Sequence, residues 1–180
     1  SLPTDYRSVD FESFYLVPTE LVANTTFDSN ITNWSTVSGT PAYNSGGNGR
    51  LRLNAAAASA SLATVKNKTY RVQVRVMDTS SSGSSLKVQV GTSAAGTQNL
   101  STTVTVADFG DGKILDTTFT ATASTSHITL DNDDSNNLDV DYVKVSENIR
   151  PKKLVYITYD DYRRRFLSTA QTNNSDHYNT

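Results

Sequence analysis

Residues 69–78 read TYRVQVRVMD, and this stretch decides the fold class of the chain. Its aromatic and valine side chains fall on one face of an extended strand and its basic and amide side chains on the other: Tyr70, Val72, Val74 and Val76 against Arg71, Gln73 and Arg75. Alternation with a period of two predicts a β-strand with one face in a core and the other in water. A strand with a single apolar face is typical of an antiparallel sheet.

The same alternation recurs further along the chain. SLKVQV at 85–90 repeats it, and DTTFTATA at 116–123 and SHITLDN at 126–132 are predicted as two further strands. We predict a hairpin between 69–78 and 85–90 through the Ser/Gly run at 80–85, and a second pair joined by a turn around 124–126. About eight strands at this spacing predict a mainly β protein, an antiparallel β-sandwich of jelly-roll type.

Two local patterns add detail to the predicted sandwich. In NLDVDYVKV at 137–145 the apolar positions change parity, which predicts a β-bulge near Asp141. The run NAAAASASLA at 54–63 has good helix propensity, but a helix there would have no large apolar stripe to bury before Leu62. We therefore predict a strand of small side chains at 54–63.

Composition and charge limit the function classes. The chain has 180 residues with 16 basic and 18 acidic side chains, so its net charge of −2 gives no overall reason to bind nucleic acid or an anionic membrane. The absence of cysteine excludes disulfides, thiolate metal sites and cysteine nucleophiles. No apolar run approaches the ~18 residues of a membrane helix. The chain starts at Ser1 rather than methionine, and we expect it to be a piece of a longer protein.

The sequence contains few candidate catalytic residues. His127 lies in an alternating strand and His177 in an Asn/Ser-rich stretch, and neither has a metal-ligand spacing. No phosphate-binding loop, dinucleotide fingerprint or Gly-x-Ser-x-Gly motif occurs. Asp139 and Asp141 could serve a glycosidase as paired carboxylates, but two acids on one strand face are more typical of a hydrated edge. We predict no catalytic residue and no enzyme activity.

Composition also divides the chain into three zones. Residues 1–20 and 148–180 are rich in aromatic and charged side chains, whereas residues 21–147 are poor in charge. This symmetry predicts one small mixed strand and helix domain, made of 1–20 and 148–180, with the β-sandwich of 21–147 inserted into it. In its second part, KKLVYITYDDYRRRF at 152–166 predicts a strand followed at once by a helix, because Thr158 and Asp161 form a capping-box-like start.

The middle zone carries an ordered set of motifs. LVANTTFDSNITNWSTVSG at 21–39 is followed by GRLRL at 49–53, VKNKTYRVQVRV at 65–76 and TFTATASTSHITLDNDDSNNLDVDYVKV at 118–145. This order resembles the β-sandwich carbohydrate-binding modules of families four and nine. The positions that match the family pattern are Asn24, Phe27 and Asp28, then Trp34, then Thr69 and Tyr70, and finally Asp141 and Val143.

This resemblance implies two kinds of site. Such modules often hold a structural calcium near the first and last strands, so Asp28 and Asp141 are the candidate ligands, although Thr26 stands where a further Asp is usual. Apart from this calcium, no cofactor is predicted. Glycan binding is also implied, with exposed aromatic rings as platforms, and the candidates are Trp34, Tyr43 and Phe109. The position of Trp34 after the first strand also suits a core or rim plug.

The acidic stretch DNDDSNN at 131–137 has the look of a calcium loop. It lacks the glycine at loop position six and the glutamate at position twelve that an EF-hand needs. We predict a solvated acidic turn there.

The two end segments carry a second set of motifs, in LPTDYRSVDFESFYLVP at 2–18, in the strand-to-helix corner and in AQTNNSDHYNT at 170–180. They resemble the head-to-tail adaptor, or connector, proteins of tailed bacteriophages. The matching positions are Leu2, Pro3, Asp5 and Tyr6, then Leu154, Tyr156, Ile157, Asp161 and Tyr162, then Gln171, Thr172, His177 and Tyr178.

The adaptor resemblance implies a non-enzymatic virion structural protein of the neck or tail, assembled in the bacterial host cytoplasm, with the sandwich as an outward decoration domain. Its implied partners are other virion proteins (portal, tail tube or nozzle, fibres) in a homo-oligomeric ring, with a glycan as a further ligand and no membrane. The candidate assembly-interface residues are Asp161, Arg163, Arg164 and Arg165. DNA contact follows only if the ring lines the channel.

The competing hypothesis is a carbohydrate-binding module of a bacterial polysaccharide-degrading enzyme, with the two ends as linkers. Linkers are typically rich in Pro, Ser or Gly, and the ends of this chain are aromatic and charged instead. This difference favours the adaptor over the enzyme module at the level of sequence.

Overall fold

The structure is a computed structural model that describes residues 18–78, 84–106 and 112–148. Several predictions from the sequence lie outside these ranges. They are the adaptor-like segments, including the strand and helix of 152–166, the interface candidates Asp161 and 163–165, and the sugar-binding candidate Phe109. No helix among the described residues is long and apolar enough to cross a membrane.

The described part of the chain is all-β. Its ten strands are β1 (Ser35–Ser38), β2 (Ala42–Asn44), β3 (Arg50–Leu53), β4 (Ala56–Ala63), β5 (Thr69–Asp78), β6 (Ser85–Gly91), β7 (Leu100–Thr105), β8 (Gly112–Thr120), β9 (Thr125–Asn132) and β10 (Leu138–Glu147). Every strand pairing is antiparallel.

The ten strands form two five-stranded sheets. Sheet A has the order β2-β3-β10-β5-β8, and sheet B has the order β1-β4-β9-β6-β7. The prediction of an antiparallel β-sandwich of jelly-roll type is confirmed. Each sheet has one face in the shared core and one outer face toward solvent, and the two outer faces differ in chemistry.

The core follows from the alternation seen in the sequence. The valines of TYRVQVRVMD are fully buried, as are Leu86, Val88 and Val90 of β6 and Ile128 and Leu130 of β9. Two stacked rings, Tyr70 and Phe119, close one part of the core with their centroids 5.4 Å apart. The hydroxyl of Tyr70 accepts a hydrogen bond from the Val65 amide at 2.7 Å, which satisfies its polar end.

Both predicted hairpins are wrong. β5 lies in sheet A and β6 in sheet B, and β8 and β9 are separated between the sheets in the same way. The chain crosses from one sheet to the other at each of these connections. Alternation reports which face of a strand is buried, but it carries no information on which neighbour the strand pairs with.

Two local predictions are confirmed. The register between β10 and β5 shifts between Val140 and Tyr142, which places a bulge at Asp141. The Ala/Ser run forms β4, whose first five residues are buried on both faces of the sheet. Gly39 packs closely against the start of this strand. A Cβ on Gly39 would lie 2.4 Å from the Ala55 carbonyl oxygen and 2.8 Å from the Ala56 Cβ.

Gly49 just before β3 occupies a position that only glycine fits. Its φ of +94° is left-handed, and a Cβ there would lie 2.2 Å from the Phe27 carbonyl oxygen. We expect Gly49→Ala to lower the free energy of unfolding by about 2 kcal/mol or more. Gly46→Ala is the matched control, because its Cβ would meet only the Asn44 side chain, at 3.3 Å, and it should stay within about 0.5 kcal/mol. Urea unfolding of both variants measures the difference, and equal losses would contradict this account of the turn.

Candidate functional site

The outer face of sheet A, here named the ion-pair face, is occupied by paired charges. Arg71 binds Asp116 through both carboxylate oxygens, and the Gln73 amide donates to the same carboxylate at 3.1 Å. Arg75 donates to Asp141 at 3.1 Å. Asp116 and Asp141 on this face are therefore each paired with an arginine.

Asp139 is the centre of the ion-pair face. Its side chain is completely buried, although the strand alternation points it outward. Arg52 donates to both carboxylate oxygens, at 2.8 and 3.0 Å, and Asn44 donates at 2.7 Å. The hydrogen bond to Asp139 raises the pKa of Arg52. The expectation of a hydrated edge at Asp139 is wrong, because these long side chains from β2 and β3 cover the carboxylate.

The calcium candidates lie in different surroundings. Asp28 is exposed, and its backbone carbonyl accepts a hydrogen bond from the Tyr43 hydroxyl at 3.0 Å. The Asp141 carboxylate faces two guanidinium groups, those of Arg75 and Arg50. Across the described ranges no three His, Cys, Asp or Glu side chains come together in a metal-binding group. The donor set does not fit a calcium ion, because cationic side chains already occupy the space beside Asp141.

The outer face of sheet B, here named the hydroxyl face, has different chemistry. Three rows cross its strands: Ala57, Asp131, Lys87 and Thr103, then Ser59, Thr129, Gln89 and Ser101, then Ser61, His127 and Gly91. Most of these side chains are small and uncharged. The floor is formed by Ala57, Ser59 and Thr129, which are only 2%, 4% and 0% exposed.

The loop at 92–99 covers part of the hydroxyl face. The Ala95 amide donates to the Thr129 hydroxyl at 2.9 Å, which places the loop over β9. The Thr129 hydroxyl in turn donates to Ser59 at 3.1 Å, and Ser59 donates to the Ile128 carbonyl at 2.9 Å. This chain of hydrogen bonds fixes the floor and the loop in one arrangement.

Several groups on the hydroxyl face have unused hydrogen-bonding capacity. The side chains of Gln89, His127, Ser61, Ser101 and Thr103 have no hydrogen-bond partner within the ranges that the structure describes. An amide offers two donors and an acceptor, and each hydroxyl offers both functions. The hydroxyl face thus presents an amide, an imidazole and three hydroxyl groups that have no partner inside the described ranges.

Acidic side chains close one end of the hydroxyl face. Lys87 forms its ion pair with Asp133 and acts on Asp131 only through its charge. Burial raises the pKa of Asp131, the charge of Asp133 adds to the effect, and the charge of Lys87 lowers that pKa. By contrast, the hydrogen bond from Lys87 lowers the pKa of Asp133. Asp131 is therefore a partly desolvated carboxylate whose pKa stays raised despite the charge of Lys87, as is common at functional sites.

The two acids should respond to neutralisation with opposite signs. Because its pKa is raised on folding, ionised Asp131 destabilises the folded state, so we expect Asp131→Asn to gain up to about 1 kcal/mol at pH 7. The gain should vanish as the pH falls below the ordinary pKa of 3.8, where the carboxyl is protonated in both states. Asp133→Asn should instead lose stability at pH 7. Because the pKa of Asp133 is lowered on folding, its ionised carboxylate stabilises the folded state, and this contribution is lost as the pH falls below 3.8. Urea midpoints at pH 7 and pH 3 measure both variants, and a loss in Asp131→Asn at pH 7 would contradict the assignment.

Two of the predicted aromatic platforms, Trp34 and Tyr43, are not on the hydroxyl face. Trp34 is 7% exposed and packs on Phe27 with ring centroids 5.6 Å apart, and its indole N–H points to the Asn24 carbonyl at 3.4 Å. Tyr43 lies on edge strand β2, opposite Leu51 and on the core side of sheet A. Sugar contact at Trp34, Tyr43 and Phe109 stays a prediction.

Sequence reasoning missed the polar residues of the hydroxyl face. Lys87 and Gln89 were visible as the wet side of β6, and His127 and Thr129 alternate with buried residues of β9. The local pattern does not show that β6 pairs with β9, and this pairing brings the solvent-facing sides of the two strands together. The acidic turn at 131–137 was predicted as a separate solvated loop, although its first residue, Asp131, belongs to this face.

The comparisons with known proteins concern the fold. No protein-family model and no curated protein matches the sequence. Solved structures do match. The xylan-binding domain CBM22-1 of Xyn10C from Paenibacillus barcinonensis is 14% identical with a TM-score of 0.54, over 74% of this chain and 97% of that one. The chain has the fold of carbohydrate-binding modules.

Two further matches agree with this result. A putative sugar-binding protein from Bacteroides thetaiotaomicron is 9% identical with a TM-score of 0.57, over 72% of this chain and 100% of that one. The module TmCBM61, solved in complex with β-1,4-galactotriose, is 12% identical with a TM-score of 0.54, over 72% of this chain and 99% of that one. At these identities the likeness is one of fold.

Proposed function

We propose that the protein is a non-catalytic glycan-binding module and that it binds its glycan on the hydroxyl face. One observation carries the proposal: an amide, an imidazole and several hydroxyl groups without partners in the described ranges lie there beside the partly desolvated Asp131 carboxylate. On the ion-pair face, Asp116, Asp139 and Asp141 instead form ion pairs with arginines.

The chemistry of sugars suits this arrangement. A pyranose presents several hydroxyl groups, and each one both donates and accepts hydrogen bonds. An ionised carboxylate accepts from hydroxyls and makes the stronger charge-assisted hydrogen bonds, whereas Gln89 supplies donors and an acceptor in one side chain.

The structural relatives suggest the class of glycan. One is a xylan-binding domain and another was solved with β-1,4-galactotriose. We therefore propose a β-1,4-linked polysaccharide of neutral sugars as the ligand.

The test compares matched residues on the two faces. Native affinity electrophoresis against xylan, galactan and mixed-linkage glucan identifies a ligand, and calorimetry with its oligosaccharides measures affinity. Gln89→Ala and Asp131→Ala should each weaken binding about tenfold. The control variants Gln73→Ala and Asp116→Ala remove the same residue types from the ion-pair face and should leave affinity unchanged. Loss of binding in the controls alone, or retention by no polysaccharide, would overturn the proposal.

The phage adaptor hypothesis rests on the end segments 1–20 and 148–180, and nearly all of these residues lie outside the described ranges. The fold and the structural relatives give it no support and favour the competing hypothesis of a carbohydrate-binding module. The virion location, the ring and the virion partners stay predictions from sequence. A glycan-binding sandwich is compatible with either protein, so the proposal above does not depend on the choice.

A further inference from the structure

The two acids of β10 lie on the same outer face although they are two residues apart across a bulge. The bulge at Asp141 places its carboxylate on the ion-pair face next to that of Asp139. Asp139 is fully buried, and the Asp141 side chain is 20% exposed. Two carboxylates in so little water repel each other strongly unless a cation lies between them.

Arg50 is the residue that contacts both. Its Nη1 lies 3.9 Å from Asp139 Oδ2, and its Nε lies 3.7 Å from Asp141 Oδ1. Both distances are too long for hydrogen bonds, so the interaction is one of charge. The Nε atom is buried and has no hydrogen-bond partner in the described part of the chain. Arg50 therefore acts as a cation held between two carboxylates rather than as a hydrogen-bond donor to either.

Backbone packing brings the other calcium candidate to the same neighbourhood. A Cβ on Gly49, the residue before Arg50, would lie 2.2 Å from the Phe27 carbonyl oxygen and 3.0 Å from the Asp28 Cα. The segment that carries Arg50 thus abuts the backbone of Asp28 while its side chain faces Asp141. The sequence resemblance implied a calcium ion for these two acids.

We propose that the guanidinium of Arg50 takes the place of a structural calcium ion in this sandwich. It supplies the positive charge between Asp139 and Asp141, while Arg52 binds both oxygens of Asp139 and Arg75 binds Oδ2 of Asp141. The fold then carries its own cation and needs no divalent metal at this position.

The proposal makes a direct prediction for the full chain with calcium alone as the probe. The unfolding temperature in excess EDTA and in millimolar calcium chloride should agree to within about 1 °C, because a ligand that does not bind the folded state cannot stabilise it. Calorimetric titration with calcium chloride should show no binding. A rise of several degrees with calcium, reversed by EDTA, would overturn the proposal.

A set of Arg50 variants separates charge from packing. Arg50→Gln removes the charge and keeps most of the volume, and we expect its unfolding temperature to fall by at least about 5 °C. Arg50→Lys keeps the charge and should lose less than half as much, since Arg50 makes no hydrogen bond to either acid. Arg71→Gln is the matched control on the same face, because its pair with Asp116 is about half exposed, and it should fall by no more than about 2 °C. Equal losses in Arg50→Gln and Arg71→Gln would overturn the proposal.

Discussion

Asp139→Ala should lower the free energy of unfolding by about 3–5 kcal/mol, which is the expected result of removing one partner from a buried charge cluster. The carboxylate is fully buried and binds Arg52 through two hydrogen bonds and Asn44 through a third. Its loss leaves the Arg52 guanidinium without its acidic partner and leaves Arg50 facing Asp141 alone. Urea unfolding followed by far-UV circular dichroism measures the effect.

Asp116→Ala is the control for this prediction. Asp116 also pairs with an arginine on the ion-pair face, but both partners are more than 40% exposed. Water and salt screen such a pair, so the variant should lose no more than about 1 kcal/mol, and less at high ionic strength. If Asp139→Ala lowered the free energy of unfolding by no more than Asp116→Ala, the buried ion pairs of Asp139 would not stabilise the fold more than an exposed pair does.

Trp34→Ala should lower the free energy of unfolding by about 3–5 kcal/mol while leaving glycan affinity within about twofold of wild type. The ring is buried against Phe27, which is itself fully buried, so truncation opens a large cavity at the start of the sandwich. Binding is measured by calorimetry under conditions where the variant is folded, with Trp34→Phe as the milder replacement. A stable Trp34→Ala variant that no longer bound glycan would restore the assignment of Trp34 as a sugar platform.

Tyr43→Ala provides the comparison for Trp34. Tyr43 is 38% exposed, and its hydroxyl donates to the Asp28 carbonyl at 3.0 Å. Its loss removes one exposed hydrogen bond and little buried area, so we expect a cost of about 1 kcal/mol. The two aromatic candidates therefore separate by stability alone.

Local sequence patterns predicted the inward side of this fold well. The faces of β5, the bulge at Asp141 and the strand at 54–63 all follow from which side chains alternate along a single strand. Each of these features depends on residues within about ten positions of one another, where side-chain period and volume decide the outcome.

The outer faces could not be predicted in the same way. Asp139 has the pattern of a solvated strand residue, and its burial depends on Arg52, which is 87 positions away in the sequence. The hydroxyl face depends on β6 lying beside β9 and on the loop at 92–99 reaching Thr129. Neither contact leaves a signal in local periodicity, because antiparallel pairing between distant strands is set by the whole sandwich.

The most direct test of the central claim is to map the bound glycan onto the two outer faces by amide NMR. With the oligosaccharide found by electrophoresis, the largest chemical-shift changes should fall on Gln89, Thr129 and Asp131 of the hydroxyl face. Amides of Arg71, Gln73 and Lys144 on the ion-pair face should stay unchanged. Shifts confined to the ion-pair face, or none at saturating ligand, would contradict the account.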